Sequence, residues 1–533
     1  MKRLFTIIAV IIICCANTTA QERLRSYRLA QSQQTEPVLP HIEKKDGRGR
    51  FILNNKPFLI LGAQLWNSSA WPYILDKEWP QLEQLGINTL EVPVYWQQIE
   101  ETKGQFDFKN LDSIILGARD HNIKLILLWF GSYKNGSSQY APEWLLHDTK
   151  NYPRMINAAG QELLVLSAVS KNNVQADMNA FTALMKHIKE VDEAQQTVIM
   201  VQVENECGSL GTDRDYSDEA NTLFAREKES SENFQAACFA EYVEKVAAAG
   251  KAVYNLPMYA NVWMKDMDYR RPGEYPSGGP TVNVLDIWKA KAPSIDLIGV
   301  DLYINYAPTF HKMCSDYAGK NNVLFIPETG KGIEFARFQF YAIAQYKTIG
   351  LATYGIDPFH ADPHDKRDST KLDEKFSDIA ANYTLFSNAF NTILDAQWQH
   401  TIVAGAQEPD LKEQTLSLGD YDILLQYGFP TYRTPPKNSG RAMVIQLKED
   451  EFIVLGFDAK FTFRPKENAG FGSCEIISVE EGYFKGDDWI RKRFWNGDEV
   501  YHSTLLPQGV ILKIKLRKTK AAFKGTIKAN FEQ

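Results

Sequence analysis

The stretch VIMVQVENE, Val198–Glu206, stays largely apolar for six residues and then breaks into Glu204, Asn205 and Glu206. An apolar run of strand length, without strict alternation, is what a strand buried on both faces looks like. Such segments recur along the chain at Phe58–Leu61, Thr89–Val94, Lys124–Trp129, Pro257–Tyr259, Ile295–Val300, Val323–Ile326 and Leu351–Tyr354. Between them lie segments with helical spacing, among them Trp79–Gly86, Leu111–Asn122 and Met178–Val191. Strand and helix alternating in this way predict an α/β fold, a (β/α)8 TIM barrel. The rival, a doubly wound open sheet, lacks a Gly-rich phosphate loop after any strand.

From about Asn391 the texture changes. Tyr421–Gln426, Ala442–Leu447, Glu451–Phe457, Cys474–Glu480 and Val510–Leu516 alternate apolar with polar residues, and Gly, Pro, Asn and Asp separate them. That pattern predicts a C-terminal β-sandwich domain. The expected organisation is a signal peptide over 1–20, a leader over 21–47, a catalytic barrel over 48–390 and the sandwich over 391–533. Trp489, Trp495 and Tyr501 would serve the sandwich either as a sugar-binding face or as interior packing.

The start of the chain reads as a targeting segment. Lys2 and Arg3 precede the apolar run Leu4–Cys15, and Thr18-Thr19-Ala20 offers small residues before a cut at Gln21. This predicts export to the periplasm or the medium. Lipid attachment at Cys14 or Cys15 is less favoured, because Ile13 or Cys14 would stand where a small residue is needed. No membrane span is expected beyond that segment. A formal net charge of −7 with no basic cluster argues against nucleic acid and anionic membranes as partners.

No metal or cofactor is expected. Cys207, Cys238, Cys314 and Cys474 show no ligand spacing, and Cys207 reads as a small buried thiol. His360 and His364 stand four apart, but Pro363 between them argues against one helix face.

In a barrel, chemistry gathers where strands open into loops at their C-terminal ends. The fourth strand ends at Glu204-Asn205-Glu206 and the seventh at Pro327-Glu328-Thr329. Two carboxyl groups facing across a cleft are what glycosidic bond hydrolysis needs, one protonated and one ionised. Strand alternation puts Glu204 and Glu206 on one face and Asn205 on the other, so spacing cannot choose between the two glutamates. Glu91, Glu143 and Asp357 are further acids at strand ends or in loops. A sugar pocket also needs amides, charges and an aromatic platform. Asn67, Trp129, Lys134, Asn135, Asn261, Trp263 and Tyr303 stand at the right places, and Tyr303 could donate to Glu328.

The run VQVENECG, Val201–Gly208, closely resembles the acid/base signature of family 35 β-galactosidases, within the clan of 4/7 retaining glycosidases. Lys56–Gly62, Leu85–Glu91 and the spaced set Trp96, Glu100, Gly104, Phe106, Asp107 and Phe108 resemble the same family. The resemblance implies that Glu206 is the acid/base and Glu328 the nucleophile. It implies that Asn205 meets the sugar's 2-hydroxyl and that Glu204 supports the pocket. Departures from the family pattern are Cys207 in place of Tyr, Ile99 in place of His, and Gly131–Gly136 in place of a Cys-Ala-Glu segment. They resemble a bacterial branch with a β-sandwich tail, some of whose members trim galactose from xyloglucan. The expected activity is therefore an exported retaining exo-β-galactosidase acting on oligosaccharides or polysaccharides. The alternatives are an α-L-arabinofuranosidase, β-glucosidase or β-glucosaminidase on the same two glutamates, or a non-catalytic carbohydrate-binding protein.

Overall fold

The computed structural model describes residue 23 and residues 38–520, apart from 46–47, 266, 320, 359–366, 369, 429–437, 467–471, 498–499 and 501–503. The expected signal peptide, His360, His364 and Tyr501 lie outside the described residues. No helix among the described residues is long and apolar enough to cross a membrane.

Eight parallel strands close into a barrel: β1 (Ile60–Gln64), β2 (Thr89–Tyr95), β3 (Lys124–Lys134), β4 (Val198–Asn205), β5 (Met258–Val262), β6 (Leu297–Leu302), β7 (Ile326–Thr329) and β8 (Gly350–Tyr354). Neighbours follow sequence order around the ring, and β8 pairs with β1 from Gly350↔Ile60 to Tyr354↔Gln64. The apolar runs have the reason anticipated for them. All eight residues of β4 are buried, because its side chains face either the barrel interior or the helix layer.

Local signals place the helices. Pro72–Leu85 starts with proline in its first turn and ends at Gly86, whose left-handed φ of 77° closes the turn onto Glu83. Lys171–Asp192 starts at Ser170, whose side chain accepts from the Asn173 N–H. The spaced set after β2 is architectural. Glu100 accepts from the Trp96 indole at 2.7 Å and from the Gly104 N–H at 2.7 Å, so it ties the loop to itself.

Burial and hydrogen bonding are offset at several strands. The apolar run Val323–Ile326 precedes the paired segment Ile326–Thr329, so Glu328 lies inside β7 rather than after it. The boundary expected between 47 and 48 falls inside a small antiparallel sheet, in which His41–Lys45 pairs with Arg48–Leu53.

The chain divides into two units. One holds the barrel; the other comprises Asn305–Ala307, Lys331–Thr348 and Lys375 onward. Helices Gln339–Ala344, Ser377–Ser387 and Phe390–Gln399 thus belong with the C-terminal strands, earlier than the expected border at 391.

The C-terminal strands are antiparallel throughout and share one hydrogen-bonded sheet of eight. Its central strand, Glu451–Pro465, pairs with Arg441–Lys448 over its first half and with Tyr421–Tyr427 over its second. Tyr421, Phe452, Phe461 and Phe463 pack edge to face or tilted in its core. Trp489 and Trp495 donate their indole N–H groups to Glu480 and Glu481 at 2.9 and 2.8 Å.

Candidate active site

The C-terminal ends of the barrel strands surround a pocket of ≈ 410 Å³ lined by Asn67, Lys134, Asn135, Glu206, Trp263, Met264, Asp301, Tyr303, Ile304, Glu328 and Tyr354. Oxygens of Glu206, Asp301 and Glu328 lie within 4.8 Å of one another. For a glycosidase, that spacing fits a retaining pair, about 5–5.5 Å apart, and not an inverting pair at about 6.5–9.5 Å. Hydrogen-bond donors from Gln64, Tyr303 and Asn261 and the charge of Lys134 meet this trio.

Glu328 is held by two donors, Gln64 Nε2 to Oε1 at 3.0 Å and the Tyr303 hydroxyl to Oε2 at 2.9 Å. Two donors suit a carboxylate. Burial, then the charge of Glu328, pushes the Tyr303 phenol up, so it stays a donor. Tyr303→Phe should lower kcat/KM by about 10- to 100-fold, since hydrogen bonds to charged groups are worth about 1.5–3 kcal/mol. Steady-state kinetics beside an unchanged melting temperature would check this.

Glu206 lies opposite, and its backbone N–H donates to Asn261 Oδ1 at 2.9 Å. Burial, reinforced by the charge of Glu328, pushes its carboxyl up to about 7, against the pull of Lys134 and a hydrogen bond with Asp301. Both oxygens of Glu328 thus accept from donors, while burial pushes the Glu206 carboxyl up.

The alternation argument fails at the end of β4. Glu204 and Glu206 both adopt left-handed backbone, with φ of 63° and 44°, so they do not share a face. Glu204 turns away from the pocket. It is fully buried and accepts from the Tyr133 N–H at 2.6 Å. Burial and the neighbouring Asp177 push its carboxyl up. A Cβ on Gly131 would stand 2.8 Å from Glu204 Oε1, so the glycine makes room for that carboxyl.

Of the expected site residues, Glu206, Glu328, Asn67, Lys134, Asn135, Trp263 and Tyr303 line the pocket, and Asn261 bonds to Glu206 and Asp301 beneath it. Trp129 does not. Its ring packs on Phe181 of the helix layer at 5.7 Å and its indole donates to Asp177 at 2.8 Å, because its strand position faces outward. Asn205 is also fully buried and does not line the pocket. Its Oδ1 accepts from Lys134 Nζ at 2.7 Å, and its Nδ2 has no hydrogen-bond partner among the described residues. Asp301, Gln64 and Tyr354 were missed. Asp301 and Gln64 follow segments read one to three residues short, Ile295–Val300 and Phe58–Leu61, so neither registered as a strand-end polar group. Of the other acids, Glu91 is buried and accepts from the Tyr259 hydroxyl at 3.4 Å, and Asp357 accepts from the Trp66 N–H at 2.9 Å. Cys207 is buried and burial pushes its thiol up, so it is no nucleophile.

A closed β/α barrel with two glutamates set face to face at strand ends has the architecture of a glycoside hydrolase. Residues 50–266 match the model of Glycosyl hydrolases family 35. The match holds β1 to β5 and Glu206; Glu328 lies beyond it. Residues 379–506 match a second model, described as Domain of unknown function (DUF5597). Beta-galactosidase-1-like protein 3 of Homo sapiens is 30% identical over 178 residues, 32% of this chain and 25% of its own length. A Beta-galactosidase of Xanthomonas manihotis is 24% identical over 181 residues, 33% of this chain and 28% of its own. The chain thus spans about a quarter of the length of these relatives. Among solved structures, a β-galactosidase from the psychrophilic Marinomonas ef1 aligns with a TM-score of 0.48 at 13% identity, covering 63% of this chain and 61% of that one.

Proposed function

We propose that the protein is a retaining exo-β-galactosidase that removes terminal β-D-galactosyl residues from plant oligosaccharides or polysaccharides such as xyloglucan. The observation that carries this reading is the placement of Glu206 and Glu328 within 4.8 Å across one pocket, with Glu206 pushed up to about 7. Glu328 attacks the anomeric carbon while Glu206 gives its proton to the departing glycosidic oxygen. Glu206, now a carboxylate, then takes a proton from the water that releases the sugar. A pocket of ≈ 410 Å³ suits a terminal sugar ring better than a stretch of polymer. The family match and the names of its relatives favour galactose; the departures around Gly131–Gly136 favour a plant polysaccharide. Export is proposed from the composition of the first twenty residues.

The test is hydrolysis by the purified protein of aryl β-galactoside, β-glucoside, β-glucosaminide and α-L-arabinofuranoside, alongside galactosylated xyloglucan oligosaccharides. Preferred release of galactose supports the reading. Preference for another glycoside keeps the mechanism and replaces the sugar. Binding without turnover of any of them overturns it in favour of a carbohydrate-binding protein. The pH dependence has a definite sign. The acid works protonated, so kcat/KM should hold below the Glu206 value and fall as pH rises through about 7. A pH–rate profile with a non-titrating aryl glycoside checks this.

A further inference from the structure

Asp301 is the third carboxyl group in the pocket and has no part in the two-glutamate scheme. It is 3% exposed and sits on β6 beside Glu328 of β7, its register partner. Oxygens of Asp301, Glu206 and Glu328 lie within 4.8 Å of one another. Three buried like charges at that spacing cannot all be ionised.

Hydrogen bonding tells which oxygen carries the proton. The Glu206 backbone N–H is only a donor, so the Asn261 atom facing it at 2.9 Å is the carbonyl Oδ1. Asn261 Nδ2 is thereby turned onto Asp301 Oδ2, at 2.7 Å, and that oxygen must accept. The other oxygen, Asp301 Oδ1, is buried with no nitrogen or hydroxyl donor on it among the described residues, and the Glu206 carboxyl lies near enough to share a hydrogen bond with Asp301. Two carboxyl oxygens face each other stably only with a proton between them.

We propose that Asp301 is a positioning residue that stays a neutral carboxylic acid, with its proton on Oδ1 donated to Glu206, so that it aims the acid/base and stabilises its carboxylate form. This rests on the glycosidase reading above. Were Asp301 ionised, it would accept the proton of Glu206 and draw it away from the glycosidic oxygen. As a neutral donor it leaves that proton free for substrate in the first step. In the second step it steadies the Glu206 carboxylate.

The surrounding groups bear on the same balance. Glu328 faces Asp301 from β7, Glu206 from the end of β4 and Lys134 from β3; the hydroxyls of Tyr303, Tyr259 and Tyr317 are near enough to interact. Burial, then the charges of Glu328 and Glu206, pushes the Asp301 carboxyl well above its ordinary range, and Lys134 opposes this.

The test compares Asp301→Asn with Asp301→Leu. Asparagine can turn its carbonyl to Asn261 and its N–H to Glu206, and so replaces a neutral donor by a neutral donor. The basic limb of its pH profile should stay where the wild type has it, since the group facing Glu206 is neutral in both. Leucine has the same branched shape and no donor. Its basic limb should rise by about one pH unit and kcat/KM should fall by about tenfold or more, as befits a lost hydrogen bond to a charged group. A basic limb that falls in both variants would show that Asp301 is ionised in the wild type and would overturn the proposal, as would a Leu variant indistinguishable from wild type. A 13C titration of the Asp carboxyl carbons, assigned with the Asn variant, reads the protonation of Asp301 without turnover. A carboxylate signal at neutral pH refutes the proposal even in a protein that cleaves nothing, whereas the glycoside panel alone decides the activity.

Discussion

Glu328→Gln is expected to reduce turnover of every substrate the protein accepts by about 10⁴-fold or more, because the covalent step has no other carboxylate placed to take it. The change keeps the volume of the side chain. It also keeps one of the two contacts, since an amide oxygen can accept from Gln64 or from Tyr303 while the amide nitrogen then confronts the other donor. The fold should therefore survive and the chemistry should not. A sharper form of the experiment is Glu328→Gly with azide and an activated aryl glycoside. Azide entering the vacated space attacks from the side of β7 and should give the α-glycosyl azide. Residual activity in Glu328→Gln within tenfold of wild type, in protein purified free of the parent enzyme, would sink the assignment.

The second large effect belongs to Glu206. Glu206→Gln removes the proton donor and should cost about 10²–10⁴-fold in kcat/KM, the range for a positioned general acid and base. The loss should depend on the leaving group: small for a dinitrophenyl glycoside, which departs unprotonated, and full for an oligosaccharide. Its pH profile should also lose the basic limb near 7, because the group responsible is gone. In Glu206→Gly, azide should give the β-glycosyl azide, the opposite anomer to that from Glu328→Gly, since here it attacks an intermediate already held on Glu328. Equal losses on good and poor leaving groups would assign the proton donation elsewhere, with Asp301 the nearest alternative carboxyl.

The barrel was legible because parallel strands covered on both faces leave a coarse mark, a run such as Val198–Val203 that tolerates little polarity. That Glu206 and Glu328 meet in one pocket was legible because polar residues follow those runs directly. Finer placement was not, for three physical reasons. Alternation assumes extended backbone, and Glu204 and Glu206 both leave it, which sends two neighbouring glutamates to different partners. An aromatic near a strand end faces either the mouth or the helix layer; the partner that decided Trp129, Asp177, lies 48 residues away in sequence. Strand ends read from apolar runs miss polar residues that the ladder still holds in line. Asp301 and Gln64 are of that kind, one paired with Glu328 in register and the other bonded to it. The C-terminal strands were visible from alternation, but the bend that lets Glu451–Pro465 pair with two successive partners on one edge leaves no compositional sign.

The most direct test of the central claim is to incubate the protein with a 2-deoxy-2-fluoro-β-galactosyl fluoride and map the modified peptide by mass spectrometry. The account predicts inactivation, a gain of one fluorosugar per chain, and the label on Glu328 within the peptide Ile326-Pro327-Glu328-Thr329. A label on Asp301, Glu91 or any other carboxylate would contradict it, and so would an enzyme that cleaves galactosides yet never carries the sugar.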